Sequence, residues 1–178
     1  MVNRMAFSYS PSLKTFYSQR TAAKNSKPTK KLFALANPLL TGEKVQRKDA
    51  EKGLTALATS CRQAGPASSD LIRSLAPLPD TESEVNNVKN SLGKTEKSEI
   101  QIFTRKDANE KNLRNLQLDD YRVLYFATHG LLPGELKCQA EPGLVLTPPK
   151  KANSRNNDGL LEASEIALLK LNADLVVL

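Results

Sequence analysis

The 178-residue sequence predicts an α/β fold: a layered sandwich built around a mostly parallel central sheet. Three observations carry that reading. Strand-like and helix-like runs alternate from residue 78 onward, the order that builds parallel sheets with crossover helices. The run Tyr121-Arg-Val-Leu-Tyr-Phe-Ala127 is apolar on both faces apart from Arg122, as a strand in the middle of such a sheet must be. Hydrophobic residues make up 39% of the chain but aromatics only 5%, with no Trp, so the core has to be packed from Leu, Val, Ile and Ala.

In chain order, residues 1–30 show no apolar period and read as a basic, partly disordered lead-in. Residues 31–178 read as one domain. Its first element is Lys31-Leu-Phe-Ala-Leu-Ala-Asn37-Pro38, an apolar run closed by Asn-Pro, the pattern of a buried strand ending in a turn. Residues 40–77 are basic and then rich in Gly, Pro and Ser around Gly65-Pro66, which suits a flexible insertion with room for one short helix. A helix entry follows in Leu78-Pro-Asp-Thr-Glu-Ser-Glu84-Val85, with Asp80 or Thr81 as cap and early acids that suit the helix dipole. Val85, Val88 and Leu92 form its apolar stripe, and Gly93 can end it.

Glu99–Thr104 alternates like a strand, and Asp107-Ala-Asn-Glu110 has the spacing of a capping box ahead of Leu113 and Leu116. After the strand Tyr121–Ala127 comes a polar, hairpin-like insert containing a short strand at Leu144–Thr147 and a basic loop from Pro148 to Asn157. Residues 162–169 read as a helix whose acids, Glu162 and Glu165, belong to its first turn. The final strand is Ala173–Leu178, with Asp174 fixing its entry.

Composition restricts the function classes. No apolar run approaches the roughly 20 residues of a membrane helix, and the N-terminus lacks the apolar segment of a secretory signal, so a cytoplasmic protein without membrane attachment is expected. Residues 1–60 carry 11 Lys and Arg against 3 Asp and Glu, whereas the remainder carry 15 against 16. The basic N-terminal third suits an acidic protein partner. It lacks the interleaved aromatic residues of a nucleic-acid surface, since Phe33 lies in a strand. Cys61 and Cys138 have no second ligand at a metal-binding spacing and are expected as free thiols, so neither a metal nor a cofactor is expected.

The chemistry-bearing candidate is His129-Gly130. His129 is the only histidine, and it follows the apolar strand directly, at the end of a parallel strand where α/β sheets collect ligands and catalytic groups. Two readings of the residues stand side by side. The imidazole either bonds a neighbouring loop, or serves as a general base or partner of a thiolate. Gly130 fits the second reading, because a backbone N–H without a neighbouring Cβ can approach a developing oxyanion closely.

Several segments, taken in order, carry a family resemblance: Ala34-Leu-Ala-Asn37-Pro38, Leu78–Val85, Ala108–Leu113, Tyr121–Gly130, Pro142–Thr147, Asp158–Ile166 and Leu169–Leu178. Together they resemble the CHAT domain, a caspase-like and separase-like cysteine peptidase module, and Tyr9–Leu13 is similar to the lead-in of such domains. The resemblance implies a caspase-like three-layer sandwich, with His129 as the catalytic histidine and Gly130 as an oxyanion donor through its N–H. It also implies a nucleophilic Cys shortly after the last strand, and protein or peptide substrates. The sequence stops at Leu178, so the expectation is the N-terminal part of a cysteine endopeptidase domain, incomplete at its C-terminus and inactive alone. An exposed, self-associating final strand is expected with it. Neither Cys61 nor Cys138 follows the strand that should carry the nucleophile. The alternative expectation is a non-catalytic CHAT-derived binding or regulatory module that uses its basic N-terminal third.

Overall fold

The computed structural model describes residues 27–42, 66–92, 99–136, 139–152 and 154–178, together with Ser12, Lys14, Tyr17 and Thr21. Expectations for most of the lead-in and much of the insertion, for Gly93, and for Cys61 and Cys138 lie outside the described residues. The elements run β1 (Lys30–Pro38), α1 (Ser69–Arg73), α2 (Pro79–Ser91), β2 (Ile100–Arg105), α3 (Glu110–Arg114), β3 (Tyr121–Ala127), β4 (Gly130–Leu131), β5 (Gly143–Val145), β6 (Leu160–Glu162), α4 (Ala163–Ile166) and β7 (Leu175–Val177). The main sheet has the order β2-β1-β3-β7, and all of its pairs are parallel. This is the mixed α/β architecture with a central parallel sheet that the sequence predicts.

The two-residue period of the strands divides the core between the two faces of this sheet. Leu32, Ala34 and Ala36 of β1 and Ala127 of β3 are buried on the face covered by α2, where Val85 and Val88 meet them. Phe33 and Leu35 of β1, with Leu124 and Phe126 of β3, point the other way, into a cluster with Leu113, Leu118, Leu146 and Leu161. Phe33 is the hub of that side: its ring meets those of Phe103, Tyr121 and Phe126 edge-on, with centroids 5.5–5.9 Å apart.

The insert after β3 differs from a simple hairpin. β4, β5 and β6 form a second, antiparallel sheet in that order, which helps to cover the Phe33 face. The sequence reading places β5 and misses β6, because a three-residue strand next to a helix start leaves no period to detect. A sharp turn sets up β6. Gly159 has φ of +99°, and a Cβ there would lie 2.6 Å from Pro148 Cα.

Two helix starts also differ. α2 begins with Pro79 in its first turn and Leu78 as N-cap without a side-chain bond. The Thr81 hydroxyl, instead of capping the helix, donates to Leu78 O (2.7 Å) and accepts from Asn37 N (2.9 Å). α3 is capped by Asn109, whose side chain accepts from Asn112 N, so the box spanning Asp107 to Glu110 does not form. The acids of α4 do form a reciprocal capping box between Glu162 and Glu165. Asp174 meets Arg122 at 2.9 Å at the entry to β7, which forms an edge of the described sheet with Leu175, Val176 and Leu178 exposed.

Glu110 has turned inward because it is needed elsewhere. Only 1% exposed, its Oε2 accepts the N–H groups of Asp158 and Gly159, both at 2.7 Å. Arg114 stands 3.6 Å from Glu110 and bonds Glu165 at 2.7 Å. Asp158 accepts from Ala67 N and Leu160 N at 2.6 and 2.9 Å. Burial raises the pKa of Glu110 to about 7, against the opposing pull of its backbone hydrogen bonds, and burial raises Asp158 and Glu165 as well.

The folded chain therefore holds a proton on Glu110 at pH values where the unfolded chain has released it. That contribution is complete below the ordinary value of 4.5 and is lost as pH rises through about 7. Denaturant titrations at pH 5 and pH 8 should show lower stability at pH 8, with Glu110 accounting for on the order of 3 kcal/mol, and Glu110→Gln should remove that part of the slope. Phe33→Ala should cost about 3–5 kcal/mol in the same assay, by emptying the hub of the core.

Candidate active site

The carboxyl ends of β1, β3 and β7 open on one edge of the main sheet. Strand alternation decides where each residue beyond β3 faces. Val123, Tyr125 and Ala127 lie on the α2 side, and His129, at the same parity, follows them there. Thr128 falls at the opposite parity, and its hydroxyl bonds Val145 O at 2.5 Å. Val145 N in turn donates to His129 O at 2.9 Å. The peptide around His129 is thus clamped to β5 while the imidazole faces α2.

The ring has one defined partner. His129 Nε2 lies 2.8 Å from the carbonyl oxygen of Ala76. A carbonyl can only accept, so Nε2 carries the hydrogen, and in the neutral ring Nδ1 is the acceptor and the available base. Ala76 is held in place by its neighbours: Thr41 N donates to Arg73 O at 2.8 Å and Gly42 N to Leu75 O at 3.1 Å. Gly42 permits this approach with φ of +69°, its Cβ position lying 3.1 Å from Pro77 Cδ. The insertion predicted at 40–77 therefore contributes a main-chain group to the candidate site.

His129 lines one cleft and Gly130 a second. The first, of about 290 Å³, is lined by Leu78, Thr81, Glu84, Tyr125, Val177 and Leu178 along with the histidine itself. In it the Tyr125 hydroxyl bonds Glu84 Oε1, and that bond holds the phenol pKa above its usual range. The second, of about 400 Å³, is apolar and is lined by Gly130, Leu131, Leu144, Ala163, Ile166 and Leu178. Gly130 is exposed, and a Cβ built on it meets nothing within 4 Å, so the space beside its backbone is open.

Each predicted site residue thus lines one of these clefts. The loop-bonding and base readings of His129 are compatible, since Nε2 takes the loop and Nδ1 stays available. Sequence reasoning missed Ala76, Glu84 and Tyr125. Ala76 acts through its backbone and leaves no side-chain signal. Tyr125 carries a usable one, lying in the strand that leads into His129, and Glu84 lies within the helix-entry segment.

Glu162, Glu165 and Asp174 serve helix capping and strand entry. Among the described residues no group of three or more His, Cys, Asp or Glu could hold a metal ion, and no helix is long and apolar enough to cross a membrane.

Searches of curated proteins and of solved structures returned no match. The family comparison matches the CHAT domain over residues 1–178. With the parallel sheet and a histidine at the end of its β3 strand in hand, the chain belongs to the CHAT domain family, a family related to the caspase-like peptidases.

Proposed function

We propose that this chain provides the histidine half of a CHAT cysteine endopeptidase, with His129 as general base and the Gly130 N–H as an oxyanion donor. The observation that carries the reading is the single oriented imidazole: Nε2 is bonded to Ala76 O, which leaves Nδ1 to accept a proton. The β3–β7 register supports a place for the nucleophile. Tyr125 pairs with Val177, so the partner of His129, four residues on, falls at the third position past Leu178. A Cys at that position, where the family resemblance expects it, lies beside the imidazole.

In the proposed reaction Nδ1 takes the thiol proton and the thiolate attacks the substrate carbonyl. The N–H of Gly130 bonds the oxygen that gains charge. The imidazolium then returns its proton to the leaving amine as the C–N bond breaks, and water, deprotonated by the same nitrogen, hydrolyses the thioester. On this reading turnover requires a thiol at that position. The alternative, a binding or regulatory module with a basic N-terminal third, rests on charge alone and is separated from the first by the same experiment.

That experiment expresses the full reading frame that contains these residues, the extended chain, and follows peptide cleavage by mass spectrometry. Cleavage is expected, with kcat falling by about 10²–10⁴ in His129→Ala while the melting temperature holds. Cys61→Ser and Cys138→Ser should leave the rate unchanged. Undiminished cleavage by His129→Ala, or no cleavage by the extended chain on a diverse peptide library, overturns the peptidase reading. Imidazole nitrogen NMR offers an independent check: at neutral pH the hydrogen should sit on Nε2, and a hydrogen on Nδ1 alone removes the proposed base.

A further inference from the structure

We propose that Glu110 is a positioning residue for His129: by gathering two adjacent backbone N–H groups on one carboxyl oxygen, it sets the place of the Ala76 carbonyl that holds the imidazole. The inference rests on the reading of His129 as the base. Glu110 itself lies on α3 and lines neither cleft.

Stability alone does not account for this residue. Glu110 is 1% exposed, its Oε1 makes no hydrogen bond, and Arg114 stands 3.6 Å from that oxygen. Asp158 and Glu165 add like charge beside it. A buried carboxyl with one orphan oxygen destabilises a core more than an apolar side chain of similar size. What it supplies is Oε2, which accepts Asp158 N and Gly159 N, both at 2.7 Å. An apolar side chain cannot hold that turn.

From the turn, two connections lead toward Ala76. The polar one runs through Asp158, whose Oδ2 accepts Ala67 N at 2.6 Å, just ahead of α1. The apolar one runs through Leu160, which shares a buried cluster with Ile72 of α1 and Val145 of β5. α1 is thus fixed at its start and along its buried side. Beyond its cap at Ser74 the chain reaches Ala76, whose carbonyl lies 2.8 Å from His129 Nε2. A third tie, from Leu146 N to Gly159 O at 2.8 Å, joins the turn to the end of β5, whose Val145 N donates to His129 O. Ring and backbone of His129 are both registered against one turn, and Glu110 registers the turn.

The test reads the imidazole, so it needs no nucleophile. His129 is the only histidine in these residues, and its Nε2–H gives a single signal in nitrogen-edited NMR. In the native chain the bond to Ala76 O should slow exchange of that hydrogen with water. Glu110→Ala should speed the exchange at least tenfold with the far-ultraviolet dichroism unchanged. Glu110→Gln, which keeps an oxygen for the two N–H groups, should stay within about twofold of the native rate. Leu32→Ala, a cavity near the start of β1, is the destabilised control and should leave the exchange alone. Should Glu110→Ala fail to fold, Asp158→Ala carries the same test, because it frees Ala67 N and leaves Glu110 in place. In the extended chain, Glu110→Ala should lower kcat by about 10–100-fold with KM nearly unchanged.

Exchange unchanged in the folded alanine variant, exchange speeded as much by Leu32→Ala, or exchange speeded as much by Gln as by Ala each overturn the positioning role. The two proposals fail separately. Cleavage that needs His129 but is untouched by Glu110→Ala keeps the peptidase reading and sinks this one, whereas Glu110-dependent exchange in a protein that cleaves nothing does the reverse.

Discussion

The two-residue alternation of β1 and β3, held between two covered faces, is the constraint on which the rest of the molecule depends. β1 pairs on both sides, with β2 and with β3, and its residues from Leu32 to Ala36 are fully buried. A one-residue slip of β1 would send Phe33 and Leu35 to the α2 side and leave the Phe33 cluster without its hub, and a slip of β3 would do the same to Leu124 and Phe126. The same parity continues past Ala127 and sends His129 toward α2 and Thr128 toward the second sheet. Core packing and the aim of the candidate base are therefore one decision.

The second sheet turns that aim into a fixed geometry. Thr128 and His129 both bond Val145 through β5, and β5 is held by β6. β6 in turn follows the turn at Asp158-Gly159, whose N–H groups are gathered by the buried carboxylate of Glu110. Asp158 also accepts from Ala67, at the start of the segment that carries Arg73, Leu75 and finally Ala76. One end of this network holds the backbone of His129 and the other positions the carbonyl that holds its ring. A cluster of buried acids far from His129 in sequence thus supports both sides of the imidazole.

Much of the architecture was legible because it repeats. The apolar runs Lys31–Ala36 and Tyr121–Ala127 and the stripe of Val85 and Val88 announce buried strands and an amphipathic helix through period alone. Boundaries and short elements were less legible. β6 is three residues long, and α3 is capped by Asn109 although Asp107 and Glu110 have the spacing of a capping box. Glu110 satisfies the local rule for a helix start, yet its carboxylate is drawn to two N–H groups nearly fifty residues away. Local propensity loses there to a buried hydrogen-bonding demand that only the folded chain creates.

The amino-acid order was enough to establish an α/β sandwich with a parallel centre, to locate the lone histidine at a strand end and to point to the CHAT family, because these follow from periodicity and from motifs carried in contiguous residues. Tertiary structure alone decided which nitrogen of His129 is available, since that depends on the carbonyl of Ala76, a group every residue possesses and no sequence pattern marks. It alone brought Glu84 of α2 into the cleft that His129 lines, because helix packing against the strand face exists only once the sheet has formed.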